Sequence, residues 1–172
     1  MRHVADGRQD ALATLVRRHQ ERVRRLACRF LGSPDEADDV CQEAFLRVYH
    51  AAREYRPTAA FATWLYRVVA NLCWDHRRRA ARRPAPLPPP DQHPAADDRR
   101  TPAEQAELDD RVRQAVARLP DRQRLVLVLH RDAGLSHREI AEATGWSQSA
   151  VESCLVRAYR QLRVELSDLR EA

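Results

Sequence analysis

Three groups of side chains in this chain of 172 residues have types and spacings suited to gripping other macromolecules. Ser149, Glu152, Ser153 and Val156, with Arg157 on the shoulder, share one side of a helical repeat whose other side is Val151, Leu155 and Ala158. Hydroxyls, a guanidinium and a carboxylate that accepts from a cytosine amino group are side chains that read base edges and phosphates in a DNA groove. Arg67, Asn71, Arg78 and either Trp74 or Asp75 line up on a second helix, opposite its apolar side. Amide and guanidinium groups near aromatic rings suit unpaired DNA, because bases stack on rings while the backbone tracks positive charge. A base turned out of the duplex fits such a site. Asp39, Gln42, Glu43 and Leu46 form the third group, recurring at spacings of three and four. An exposed leucine ringed by carboxylates and an amide is an apolar anchor with a charged rim, as on a docking surface. Each group has a plainer reading. A run of charges is often a solvated face; Phe61 and Trp64 fit a core as well as a stacking platform; Asp75 can pair along its helix with Arg78 or Arg79.

Local signals define the elements that carry these residues. Ser136 can cap a helix and Glu139, three residues on, completes a capping box. Gly145 stands where a sharp left-handed turn is needed, and Ser147 can cap a second helix. Small Ala141 lets the two helices pack closely. This is the pattern of a helix-turn-helix, which lays its second helix in the major groove of DNA; an ordinary helical hairpin is the alternative. Upstream, Leu12, Leu15, Val16, His19, Val23, Leu26, Ala27 and Phe30 keep helical spacing until Gly32. Ser33-Pro34-Asp35-Glu36 then starts a helix burying Ala37, Val40, Cys41, Ala44, Phe45 and Val48. A third, from about Ala60 to Arg79, buries Phe61, Leu65, Val68, Val69 and Leu72. The stretch from Arg83 to Arg100 is proline-rich and polar, which suits a semi-rigid spacer with no fixed fold. Thr101-Pro102-Ala103-Glu104 restarts helix with a further capping box. Helices follow to about Leu119 and from Asp121 to about Asp132. The expected class is all-α: one small helical domain over 1–80, a linker over 81–102, and a second domain over 103–172 ending in the helix-turn-helix.

Charge is unevenly spread along this plan. Residues 1–80 carry 15 arginines against 10 carboxylates, whereas 103–172 carry 11 against 12. A helix-turn-helix without net positive charge should hold DNA weakly alone, since non-specific affinity comes from neutralised phosphates. It should therefore work tethered to something larger. All 30 basic residues are arginine, which a high-GC coding sequence explains as well as DNA binding does. Four cysteines lack a Cys-x-x-Cys pair, and Cys73 with His76 makes only half a metal site. No cofactor and no metal are expected. No signal-peptide core stands at the amino terminus, and the longest aliphatic run, Leu125 to Leu129, cannot cross a membrane. The expectation is a cytoplasmic protein with reduced thiols and no membrane insertion.

Two stretches carry a family resemblance. Asp35-Glu36-Ala37-Asp38-Asp39-Val40-Cys41-Gln42-Glu43-Ala44-Phe45-Leu46-Arg47-Val48-Tyr49, with Phe61-Ala62-Thr63-Trp64-Leu65-Tyr66-Arg67 downstream, resembles the second conserved region of bacterial sigma factors of the extracytoplasmic-function type. Leu119-Pro120, Gly134-Leu135-Ser136 and the helix-turn-helix resemble the fourth region. The resemblance implies a non-enzymatic subunit that binds core RNA polymerase, recognises two promoter elements and helps open the DNA. It implies that Asp39, Gln42, Glu43 and Leu46 grip the clamp helices of the polymerase's largest subunit. It assigns Tyr55, Arg67, Asn71, Arg77, Arg78 and Arg79 to the minus-ten element and its melted strand. It assigns Gln148, Ser149, Glu152, Ser153, Val156 and Arg157 to the minus-thirty-five duplex. An anti-sigma protein is a further implied partner. The chain departs from the family at Glu152, Cys154 and Tyr159, where relatives usually carry basic residues. That implies an unusual upstream preference with a weak phosphate grip.

Two other functional classes fit the sequence less well. An autonomous helix-turn-helix repressor or activator should show a ligand pocket or dimer seam, and the sequence has neither signal. A nucleic-acid enzyme should show a phosphate-cradling glycine loop, a metal-carboxylate cluster or an activated nucleophile. The pairs Asp38-Asp39 and Asp109-Asp110 have no partners that would complete a metal site.

Overall fold

The computed structural model describes residues 1–56, 60–80 and 102–167, with 102–106 described by backbone alone. The proline-rich spacer and the cap expected at Thr101 lie outside the described residues. Those described form helices α1 (Arg2–Ala5), α2 (Gln9–Leu31), α3 (Pro34–His50) and, after a single 3-10 turn, α4 (Phe61–Ala80). Beyond the spacer come α5 (Pro102–Ala117), α6 (Asp121–Arg131), α7 (His137–Thr144) and α8 (Gln148–Glu165). No strand occurs among the described residues, and the fold is all-α.

Helix ends follow the side chains that satisfy them. Gly32 stops α2 in a left-handed conformation at φ 77°, donating its N–H to the Cys28 carbonyl at 2.8 Å. The hydroxyl of Ser33 accepts from the Glu36 N–H at 3.4 Å, one half of the capping box expected there. At α7 the box is complete: the Glu139 N–H donates to Ser136 Oγ at 3.3 Å, and the Ser136 N–H donates to the Glu139 carboxylate at 2.9 Å. Gly145, at φ 74°, then turns the chain so that Ser147 caps α8.

Hydrogen bonds from Ser136 hold the Glu139 carboxyl below the usual carboxylate range. A depressed carboxyl stabilises the fold above its unfolded range and loses that contribution as pH falls through the folded value. Acidification should therefore loosen α7. Ser136→Ala should cost about 1 kcal/mol at neutral pH and remove part of that acid response, leaving the share held by the Ser136 backbone N–H, measured as amide exchange in α7.

Helices from both sides of the spacer bury side chains in one cluster. Val23, Leu26 and Phe30 of α2, Val40 and Val48 of α3, and Leu65 and Val69 of α4 meet Leu125, Val126, Val128 and Leu129 of α6, Ile140 of α7, and Val151 and Leu155 of α8. Helix α7 packs along α4, and α6 packs on α2. Trp74 bridges the halves, stacked on Phe30 at 6.4 Å and edge-on to Trp146 at 5.9 Å between ring centroids. The amino-terminal half of α2 is less enclosed than its periodicity suggests. Leu12, Leu15, Val16 and His19 are half-buried, whereas Val23, Leu26, Ala27 and Phe30 are buried. Cys73 is fully buried, and burial pushes its thiol up to about 12. It is a core side chain; Cys28 and Cys41 are half-buried.

Candidate nucleic-acid interface

On α8, Val151, Leu155 and Ala158 are buried while Gln148, Ser149, Glu152, Ser153, Val156 and Arg157 are all exposed. Val156 is 67% exposed, a value that a core residue would not have. The amide of Gln148 donates to Glu152 Oε1 at 3.1 Å, and His137 Nδ1 from α7 lies 3.6 Å from the same oxygen. The Glu152 carboxylate is therefore steadied on one side and open on the other. Of the groups expected on this helix, it alone is an anion.

Helix α4 presents Arg67, Asn71, Arg78 and Arg79 to solvent. Of the two residues that could share that face, Trp74 turns inward to the other half, while Asp75 stays partly outside and accepts from Arg78 Nη2 at 2.6 Å. Tyr55 is half-buried against aromatic neighbours, edge-on to Trp64 at 5.1 Å and to Phe61 at 6.1 Å. Phe61 and Trp64 thus form a ring cluster with Tyr55. Arg77 is separated from its neighbours: it donates through Nε and Nη2 to Asp121 Oδ1 of α6, at 3.2 and 2.8 Å.

On α3, Asp39, Gln42 and Leu46 are exposed, Leu46 by 53%. Glu43 is half-buried and accepts from Arg47 Nε at 2.9 Å. Tyr49, half exposed beside them, extends the apolar part of this face and escaped sequence reasoning. Its place one turn beyond Leu46 on the same side was the available signal.

Comparison with known proteins fits this arrangement. Residues 15–83 match the model of Sigma-70 region 2, and residues 109–162 match that of Sigma-70, region 4. The ECF RNA polymerase sigma factor SigM of Mycobacterium tuberculosis is 38% identical over 161 residues, spanning 93% of this chain and 79% of that protein. The chain belongs to the ECF RNA polymerase sigma factors. It directs promoter-specific transcription, and an autonomous repressor or activator is not favoured. SigW of Bacillus subtilis is 31% identical over 98% of this chain and 96% of its own length. The solved structure of CnrH in complex with the cytosolic domain of CnrY matches with a TM-score of 0.70 at 29% identity, covering 96% of this sigma factor and 94% of that chain. Family members act as initiation factors. No helix among the described residues is long and apolar enough to cross a membrane.

The contacts that join the two halves were not foreseen from the sequence. Thr63 donates its hydroxyl proton to Glu139 Oε1 at 3.0 Å, and Arg29 Nη1 donates to Asp132 Oδ1 at 2.5 Å. Buried Arg124 reaches the carbonyls of Phe30 at 3.1 Å, Leu119 at 3.0 Å and Ala117. One signal was present. Leu125 to Leu129 is apolar on every side, and a helix of that kind must be enclosed from several directions.

Proposed function

We propose that the sigma factor docks the outer face of α3 on the clamp helices of the polymerase's largest subunit, with Leu46 as anchor and Asp39, Gln42 and Glu43 as rim. Helix α4 and the segment from Tyr55 read the minus-ten element and hold its melted strand through Arg67, Asn71, Arg77, Arg78 and Arg79. Helix α8 reads the minus-thirty-five duplex through Gln148, Ser149, Glu152, Ser153, Val156 and Arg157. The reading rests on one observation above others: every one of the proposed base-reading groups on α8 is exposed while Val151, Leu155 and Ala158 anchor the helix from behind. That is the division a recognition helix needs. A protein inhibitor of the anti-sigma kind is a further partner; the relative CnrH is solved with the cytosolic domain of CnrY.

In vitro transcription with core polymerase on a library of promoter fragments tests the whole. Start sites that appear only when the protein is added support it. Tight unaided binding to duplex targets with no association to core enzyme would overturn it. Glu152 gives a sharper test of the upstream half. Glu152→Lys replaces an acceptor for cytosine N4 by a donor, so selection from randomised upstream elements should shift at one position. Good base contacts carry about 1–3 kcal/mol of discrimination, which is roughly 5- to 150-fold. An unchanged preference would refute a base-reading role for Glu152.

A further inference from the structure

We propose that His137 is a positioning residue for the upstream element: from α7 it holds the Glu152 carboxylate in the orientation that accepts from a cytosine amino group, and so sets a base preference without touching that base. This role rests on the reading of α8 as the recognition helix and of Glu152 as a base reader.

Glu152 is hard to place on DNA. It is an anion brought up to a row of phosphates, on a long side chain whose torsions are free to swing it away. All 30 basic residues of the chain are arginine, yet the side chain that reaches Glu152 from a neighbouring helix is a histidine: His137 Nδ1 lies 3.6 Å from Oε1. The difference matters. A guanidinium engages both oxygens of a carboxylate with its fork of donors and leaves neither for a base. An imidazole nitrogen approaches one oxygen, and here it is the oxygen that also accepts from Gln148 Nε2 at 3.1 Å. Both supports converge on Oε1, which leaves Oε2 for the cytosine amino group. At 3.6 Å the His137 contact is electrostatic rather than a hydrogen bond, and a small rotation of either side chain makes it one.

The two supports differ in permanence. Gln148 is exposed and is itself among the groups proposed to read DNA, so a base edge can take its amide away from Glu152. His137 is half-buried in the first turn of α7, outside that set. Its ring has a backing. His130, in the last turn of α6, lies 5.4 Å away between ring centroids. His130 Nδ1 stands 2.9 Å from the Leu135 carbonyl, and because a carbonyl only accepts, that nitrogen carries the proton. The bond fixes the His130 ring against which His137 rests. Other charged groups of α7 are engaged elsewhere: Arg138 donates to Glu142 at 3.1 Å, and Glu139 accepts from the Ser136 N–H. His137 is the side chain of this turn that faces α8.

The test selects randomised minus-thirty-five elements with the full chain bound to core polymerase and sequences the bound DNA. Wild type should favour cytosine at one position, and Glu152→Ala should erase that preference. His137→Ala should lower it by about two- to fivefold, the range of a half-exposed charged pair, with preferences at other positions unchanged. His137→Asn puts an amide donor near the place of Nδ1 and should restore most of the preference. In the Glu152→Ala background, His137→Ala should change nothing further at that position. Undiminished preference in His137→Ala, an equal loss at every position, no rescue by His137→Asn, or a further change in the Glu152→Ala background overturns the positioning role. Failure of the base-reading role looks different: Glu152→Ala then keeps the cytosine preference, and the positioning role falls with it. If Glu152→Ala erases the preference and His137→Ala leaves it whole, only the role of His137 falls.

Discussion

Leu46→Arg is expected to abolish sigma-dependent transcripts while leaving the folded protein intact. Leu46 is 53% exposed and is not a member of the buried core, so the substitution should change stability by no more than about 0.5 kcal/mol. Its expected cost appears only on docking. An apolar anchor at the centre of a charged rim is the kind of residue whose loss costs about 2–4 kcal/mol of association, or roughly 30- to 1,000-fold in affinity. The new guanidinium also lands beside Asp39 and Glu43, where it can fold back on the rim and mask the carboxylates. Titration of core polymerase with labelled protein, alongside thermal melting, separates the two effects. Retention of core binding by Leu46→Arg would remove α3 from the proposed docking surface.

Arg124→Ala should act in the opposite way, through the fold. Arg124 is 6% exposed and donates to three main-chain carbonyls, two at the α5–α6 junction and one at the end of α2. Truncation leaves those acceptors without their charged donor in a site that water reaches poorly. Hydrogen bonds to charged groups contribute about 1.5–3 kcal/mol each. Relief of the guanidinium's own desolvation offsets part of the loss, so the net expectation is about 3 kcal/mol. For a chain of this length that lowers Tm by about 10 °C. Arg122→Ala is the control: its guanidinium sits 5.1 Å over the Trp146 ring in a more open place, where such a contact is worth about 0.5–1 kcal/mol. Equal melting temperatures for the two variants would contradict the structural role given to Arg124. Arg124→Lys should rescue little, because one ammonium cannot reach carbonyls on two helices and a turn.

The contrast between these two arginines shows how far sequence reasoning reaches. Both belong to a chain without lysine, so identity alone separates neither from the other basic residues. Exposed Leu46 was recognisable because the residues three and four positions before it, Glu43 and Gln42, are polar. Arg124 was not, because its acceptors are carbonyls, and carbonyls have no sequence. Trp74 was left open between two faces of α4, since a tryptophan beside an aspartate at the edge of an apolar stripe satisfies either side. Packing against Phe30 and Trp146 resolved it. The short helix α1, with Val4 buried, escaped because a single turn has no periodicity to detect.

What the residue order determined by itself was local: the helix starts at Ser33, Ser136 and Ser147, the stops at Gly32 and Gly145, and the split of α8 into a buried and an exposed side. Caps and helical spacing act within about four residues, so they are written directly in neighbouring letters. The fold alone decided which residues join the two halves. The bonds from Arg77 to Asp121, Thr63 to Glu139, Arg124 to Phe30 and Arg29 to Asp132 span 44, 76, 94 and 103 positions. Pairs so far apart leave no periodic trace. They form only after each helix has buried its apolar side and brought distant polar groups within reach.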